Sequence, residues 1–233
     1  MIFHGKRKNV PSDIPILKLN GEIIPRVSDF KYIGLNLDPT LSWSKQIGQI
    51  FTKLKLFFGI FRYLRDKIPT HLKRQLYLTT ASPMINYGIE IFGSAAKKYM
   101  GKLQSKQNQL LKVLYNKDWL YNTNLLHSQC KILKVSDLHQ LRILTFVRKC
   151  INKETIPLFH NYFNFLHENH DHETRNDLIL RTVLSRTSTG ETRIKSSGCV
   201  LWNQYELARK THKQTIVTFK HKLKNLFIDS YRN

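Results

Sequence analysis

The stretch Phe30-Lys31-Tyr32-Ile33-Gly34-Leu35-Asn36-Leu37-Asp38, running into Pro39-Thr40-Leu41-Ser42-Trp43, constrains the architecture more tightly than any other part of the chain. Phe30, Tyr32, Leu35 and Leu37 approach the period of two that a half-buried strand requires, and Asp38-Pro39 is a turn signal. Trp43 then opens a long helical pattern. The stretch predicts a strand that ends near Asp38, acting as a hinge between a small β unit and a large helical body.

Before the hinge, Ile16-Leu17-Lys18-Leu19 and Glu22-Ile23-Ile24 flank Asn20-Gly21. Asn-Gly between apolar runs is a hairpin signal, because both turn residues must accept positive φ. Pro25 confines the second strand to an edge or ends it early. With Phe30 to Leu37 added, a small antiparallel unit of about three strands is expected, one that needs a helical layer against it to be stable.

After the hinge, Ile47, Ile50, Phe51, Leu54, Phe57, Phe58, Phe61 and Leu64 have the spacing of one helix face, while Lys45, Lys53, Lys55 and Arg62 lie off that stripe. A second helix is expected from Thr70 through Leu78, with Pro83 kinking or ending it. Met84 to Gly93 continues as apolar helix or turn. A third helix, about Lys97 to Asn116, has no acidic residue and turns Met100, Leu103, Leu110, Leu111 and Leu114 inward. Further helices are expected over Asn122 to Cys130, Ser136 to Asn152 and Gln214 to Ser230, with weak strand character from Leu178 to Val183.

Charge narrows the partner. The 233 residues carry 38 Lys and Arg against 16 Asp and Glu, a net charge of +22, which attracts polyanions and makes nucleic acid the leading partner. An anionic membrane surface is the rival. No run of about 18 apolar residues exists to span a bilayer, and Met1 to Lys8 lacks the apolar core of a signal peptide. An intracellular protein, in nucleus or cytoplasm, is expected. Lys6-Arg7-Lys8 reads as a nuclear address, a nucleic-acid patch or a solvated tail. Cys130, Cys150 and Cys199 are far apart and odd in number, which argues for reduced core residues rather than a disulfide framework.

Catalytic chemistry finds little support. His167 to Glu173 is rich in histidine, but His170 and His172 have no spacing that an ordered zinc scaffold would need. No Gly-rich phosphate loop or nucleophile elbow is present. Asp13, Asp29, Asp38, Asp66 and Asp118 are scattered, whereas two-metal phosphoryl transfer needs clustered carboxylates. No catalytic residue, metal site or cofactor is expected in this chain. Nucleic-acid binding is better supported, through phosphate neutralisation by basic side chains and stacking on exposed aromatics. The candidate residues are Lys31, Tyr32 and Gly34 on the strand, Lys45, Lys53, Lys55 and Arg62 on the first helix, and Lys98, Lys102 and Lys106 on the third. Against this, Phe30, Tyr32 and Ile33 also read as plain core, and a single lysine-bearing helix face as a solvated surface.

Taken in order, Phe30-Lys31-Tyr32-Ile33-Gly34, Leu41-Ser42-Trp43, Tyr77 with Pro83 and Tyr87-Gly88, Leu103-Gln104 with Gln107, Thr174-Arg175, Leu201-Trp202-Asn203 and Phe219-Lys220 form a recognisable series. This series resembles the C-terminal third of reverse transcriptases from non-LTR, jockey-like retrotransposons, and its motifs run over nearly the whole chain. The resemblance implies that Ile16 to Asp38 is the end of the palm with the primer-grip hairpin, and that Trp43 to Asn116 is the thumb holding an RNA template and DNA primer. It further implies that the fingers and the palm carboxylates, which hold Mg in the intact enzyme, are missing. A truncated element copy or partial gene model, inactive alone, is the expectation.

The expected fold is α+β and mostly α, with a β unit over 1–42, a thumb-like bundle over 43–118 and a mainly helical region over 119–233. The alternative is a host protein that reuses this basic helical domain to bind a protein partner.

Overall fold

The computed structural model describes residues 1–5, 15–166 and 178–232. The Lys6-Arg7-Lys8 cluster, the histidine-rich stretch and Thr174-Arg175 lie outside the described residues. The fold is α+β and mostly helical. β1 (Lys18–Leu19) and β2 (Glu22–Ile23) form an antiparallel hairpin with Lys18 opposite Ile23. Asn20 and Gly21 at its turn have φ of 51° and 84°, as an Asn-Gly turn requires.

The single strand expected from Phe30 to Leu37 is instead a second hairpin. β3 (Phe30–Tyr32) folds back on β4 (Leu35–Leu37), with Phe30 opposite Leu37 and Tyr32 opposite Leu35. Ile33 and Gly34 make the turn at φ 44° and 75°. Glycine adopts such angles freely, and it reverses a run whose alternation alone reads as continuous strand. The two hairpins are separate sheets rather than one three-stranded unit.

Eleven α-helices follow among the described residues: α1 (Ser44–Leu64), α2 (Thr70–Thr79), α3 (Ala81–Asn86), α4 (Ile89–Phe92), α5 (Lys97–Leu114), α6 (Thr123–Cys130), α7 (Val135–Ile151), α8 (Ser188–Glu191), α9 (Ile194–Gln204), α10 (Glu206–Thr211) and α11 (Ile216–Asp229). Pro83 sits inside α3, and the break falls before it, at Thr80. A proline ring clashes with the carbonyl four residues earlier, here that of Thr79, so the preceding helix stops at that residue. Leu178 to Val183 forms no strand; Leu180 makes one isolated bridge to Phe165. α9 and α10 were not expected from sequence.

The interior has two apolar clusters. The first gathers Leu35, Trp43, Leu54, Phe61, Tyr77, Ile85, Phe92, Leu103, Leu110 and Leu114, and extends to Val135. α1 lies along α5 at its centre. Truncating a fully buried ring such as Phe61 to alanine would cost about 3 to 5 kcal/mol. The second cluster spans Leu133 to Tyr231 around the fully buried Trp202, whose indole donates to the Leu178 carbonyl at 2.9 Å. Asn203 pairs with both the amide and the carbonyl of Leu180, each at 2.8 Å. Cys130, Cys150 and Cys199 are free thiols buried in these clusters, and burial pushes the Cys130 and Cys199 thiols up to about 11. The hairpins stay at the edge: Ile16, Leu17, Leu19, Ile23, Phe30 and Tyr32 are all exposed.

Candidate nucleic-acid interface

The junction between hairpin and helix body is built on Asp38. Its Oδ1 accepts from the Thr40 amide at 3.1 Å, the Thr40 hydroxyl at 2.7 Å and the Ser42 amide at 3.1 Å. Its Oδ2 accepts from the Ser42 hydroxyl at 3.2 Å and the Trp43 amide at 3.1 Å. Partial burial works to raise this carboxyl, yet the bonds from Thr40, Ser42 and Trp43 outweigh it and leave the pKa lowered. The carboxylate holds Leu41 and Trp43 in left-handed backbone, at φ 49° and 62°, which places the Trp43 ring in the core. Asn36 fastens β4 to α1, its Nδ2 donating to Gln46 Oε1 at 2.9 Å and Gln49 Oε1 at 2.7 Å.

The second hairpin is clamped from the other side. Tyr87 donates its hydroxyl to the Ile33 carbonyl at 2.6 Å, and a Cβ added at Gly34 would lie 3.1 Å from the Tyr87 ring. Gly88 sits at φ 71°, and a Cβ there would lie 2.7 Å from Leu35 Cδ2, so the Leu35 side chain would have to shift to admit one. The motifs around Gly34 and Gly88 therefore interlock. Gln107 likewise acts inside the protein, donating to the Tyr77 hydroxyl at 3.0 Å and the Leu133 carbonyl at 2.9 Å. Gln104 accepts from the Val135 amide at 2.7 Å.

The candidate cations fall into distinct groups. Lys31 and Tyr32 are exposed on β3, and Gly34 is exposed at the turn. Lys45 is engaged within the chain, its ammonium 2.8 Å from Asp29 Oδ2. Lys53, Lys55 and Arg62 are exposed on α1, but Lys53 and Lys55 are two residues apart and so point about 200° away from each other. Lys55 and Arg62 share a face with Phe51 and Phe58, at offsets of roughly four, seven and eleven residues from Phe51. On α5, Lys98, Lys102 and Lys106 follow one another at the i, i+4 spacing that makes a ridge.

Packing of α1 against α5 joins these two faces at one point. The Lys106 ammonium lies 4.6 Å from the ring centroids of both Phe51 and Phe58, and that of Lys55 lies 5.2 Å from the Phe51 centroid. Burial, with the Lys55 charge added, holds the Lys106 ammonium below the usual lysine range. Two like charges share an aromatic platform, and neither has an acidic partner among the described residues. Phe51 and Phe58 read from sequence only as core positions. The signal available was the i, i+4 spacing of Phe51 to Lys55 and of Phe58 to Arg62, alongside their apolar neighbours Leu54 and Phe61. Trp119, 80% exposed just beyond α5, is a further large aromatic open to solvent.

Against known proteins, 132 residues, 55% of the chain, are 26% identical to the RNA-directed DNA polymerase from mobile element jockey of Drosophila melanogaster. The jockey polymerase of Drosophila funebris is 24% identical over 132 residues, again 55% of the chain. This chain is similar to the RNA-directed DNA polymerases of jockey-like, non-LTR elements. The probable RNA-directed DNA polymerase from transposon X-element of Drosophila melanogaster is 27% identical over 117 residues, 49% of the chain. The chain spans a small part of these relatives, 14% of each jockey polymerase and 13% of the X-element protein. No family model matches the chain, and no solved structure does.

The resemblance read from sequence thus holds over about half the chain. The motif residues Tyr87, Gly88, Gln104, Gln107, Trp202 and Asn203 act as internal junctions, whereas Lys55, Arg62, Lys98, Lys102 and Lys106 lie between the motifs. Among the described residues, no three His, Cys, Asp or Glu side chains gather as a metal-holding group. No described helix is long and apolar enough to cross a membrane.

Proposed function

We propose that this chain is the part of a jockey-like RNA-directed DNA polymerase that follows the catalytic palm, and that it holds the backbone of an RNA template and DNA primer. On this reading β3, β4 and their turn are the primer grip, and α1 to α5 the thumb. The carboxylates and Mg of the reaction belong to a palm whose motif this sequence does not carry, so the chain alone makes no DNA. The exposed apolar side chains of the hairpins, including Ile16, Leu19 and Phe30, suit a sheet edge on which further palm would pack. Its setting would be nucleus or cytoplasm, where such templates occur.

The observation that carries the reading is the Lys55 and Lys106 pair over Phe51 and Phe58, flanked by Arg62 and by the ridge of Lys98 and Lys102. Neither α1 nor α5 contains an acidic residue. Like charges held together repel, and a phosphate relieves that repulsion while releasing counterions. The turn adds support. Ile33 is 71% exposed with φ 44°, a strained backbone for a β-branched residue, of the kind that accompanies contact sites. Titration of a labelled primer–template at several salt concentrations tests the reading. Affinity should fall steeply and linearly in log salt; salt-insensitive binding or none, or DNA synthesis by this chain, would overturn it.

A further inference from the structure

A second basic feature lies away from the α1 and α5 faces, where the two core clusters meet. A cleft of about 250 Å³ opens between Tyr77 and Ser82 on the first side and Leu141, Arg142 and Lys220 on the second, with Lys131 and Lys224 also on its wall. Ser82, Asn86 and Thr145 give it a polar lining.

Its charge is unbalanced. Lys220 and Lys224 are one helical turn apart on α11, a like-charge i, i+4 pair that destabilises a helix unless something opposes it. The Lys224 ammonium is lowered by burial first and then by Arg74 and Lys131. That of Lys220 is lowered by burial and then by Arg142, Lys149 and Arg148. Among the described residues Glu90 is the acid that acts on Lys220, and it is shared with Arg142 at 3.7 Å. Among the described residues, Arg74, Lys131, Lys220 and Lys224 take part in no ion pair. Arg74 Nε is buried with no hydrogen-bond partner. Arg74 stands outside the lining and acts on the site through its charge beside Lys224; a concave wall that carries Lys131, Lys220 and Lys224 with no ion pair is what a phosphate oxyanion satisfies.

We propose that this cleft binds a backbone phosphate of the same nucleic acid, as a second contact distinct from the Lys55 and Lys106 pair. The proposal rests on the reading of the chain as a nucleic-acid binder. It adds that the groove formed where α2 and α3 meet α7 and α11 carries part of the grip. Arg142 supplies directional donors and Lys131, Lys220 and Lys224 supply point charges on the wall, while Arg74, outside the lining, adds to the positive potential at Lys224.

The test is the salt dependence of binding to a fluorescein-labelled RNA–DNA hybrid, followed by anisotropy, for the wild type and for Lys220→Ala with Lys224→Ala. Each phosphate contact contributes about 0.9 to the slope of log K against log salt on a duplex. The double variant should therefore lower the slope by about one, and Lys220→Arg with Lys224→Arg should keep it. Removing the like-charge pair should leave thermal stability unchanged or slightly raised, which separates lost contact from lost folding. Wild-type binding with an unchanged slope in the double alanine variant would overturn the cleft and leave the proposed function standing. Absence of salt-dependent binding in the wild type would overturn both.

Discussion

The hydroxyl of Tyr87 donates to the carbonyl of Ile33 across 2.6 Å, joining two points 54 residues apart in the chain. It fixes the turn of the second hairpin to the helical body, and the Tyr87 ring covers Gly34 where a Cβ would stand. Tyr87→Phe should cost about 0.5 to 1.5 kcal/mol, the net worth of one hydrogen bond, in denaturant unfolding. Gly34→Ala should cost about 1 to 2 kcal/mol from its left-handed φ of 75°, before any clash with Tyr87 is counted.

Ile33 permits a gain in stability. Its side chain is 71% exposed and its φ is 44°, so Ile33→Asn removes strain without emptying the core and recreates the Asn-Gly turn of the first hairpin. Unfolding free energy should rise by about 1 kcal/mol. If the strained turn contacts the primer, binding of a primer–template should weaken in the same variant.

Acid should destabilise the fold in two stages. His127 and His139 are both held down to about 4, mainly by burial, from an ordinary value of 6.5. Between those limits the unfolded chain binds protons that the folded chain does not, so stability rises with pH there and is lost on going from about 6.5 towards 4. Asp38 acts below that. Its pKa is lowered in the fold, so its contribution is present above the unfolded carboxylate range and disappears as pH falls through the folded value. Urea midpoints measured across this range should fall with acid, and Asp38→Asn should flatten the most acidic part of the curve.

Gln107 separates architecture from binding. Gln107→Leu leaves the Tyr77 hydroxyl and the Leu133 carbonyl without their buried donor, at an expected cost of about 1 to 3 kcal/mol. Under conditions where the variant is folded, its affinity for nucleic acid and its salt slope should match the wild type. A changed slope would show that this motif residue does more than join α5 to the segment before α7.

The first hairpin, α1, α5, α7 and α11 were legible because their signals are local: an Asn-Gly turn, or a run of apolar residues at helical period. The second hairpin was hidden by Ile33, whose strand preference is overridden by the neighbouring glycine and by Tyr87 far along the chain. α9 escaped because Ser196, Ser197 and Gly198 are weak helix formers, and the element is held by burial of Trp202 and the Asn203 bonds to Leu180. The basic character of the candidate site could be read from α1 and α5 separately. Which cations meet could not, because the packing of α1 on α5 decides it. The same packing sets Lys55 with Lys106 and leaves Lys53 facing elsewhere, while the Asp29 ion pair occupies Lys45.

The most direct measurement is the affinity of the chain for an RNA–DNA hybrid as a function of salt, compared between wild type and Lys55→Glu with Lys106→Glu. The wild type should show log affinity falling linearly with log salt. The double reversal should weaken binding at least tenfold at low salt and reduce the slope by about two contacts' worth, with an unchanged thermal melt. Equal affinity and equal slope in the two proteins would contradict the assignment of this shared aromatic platform as the place where the nucleic-acid backbone is held.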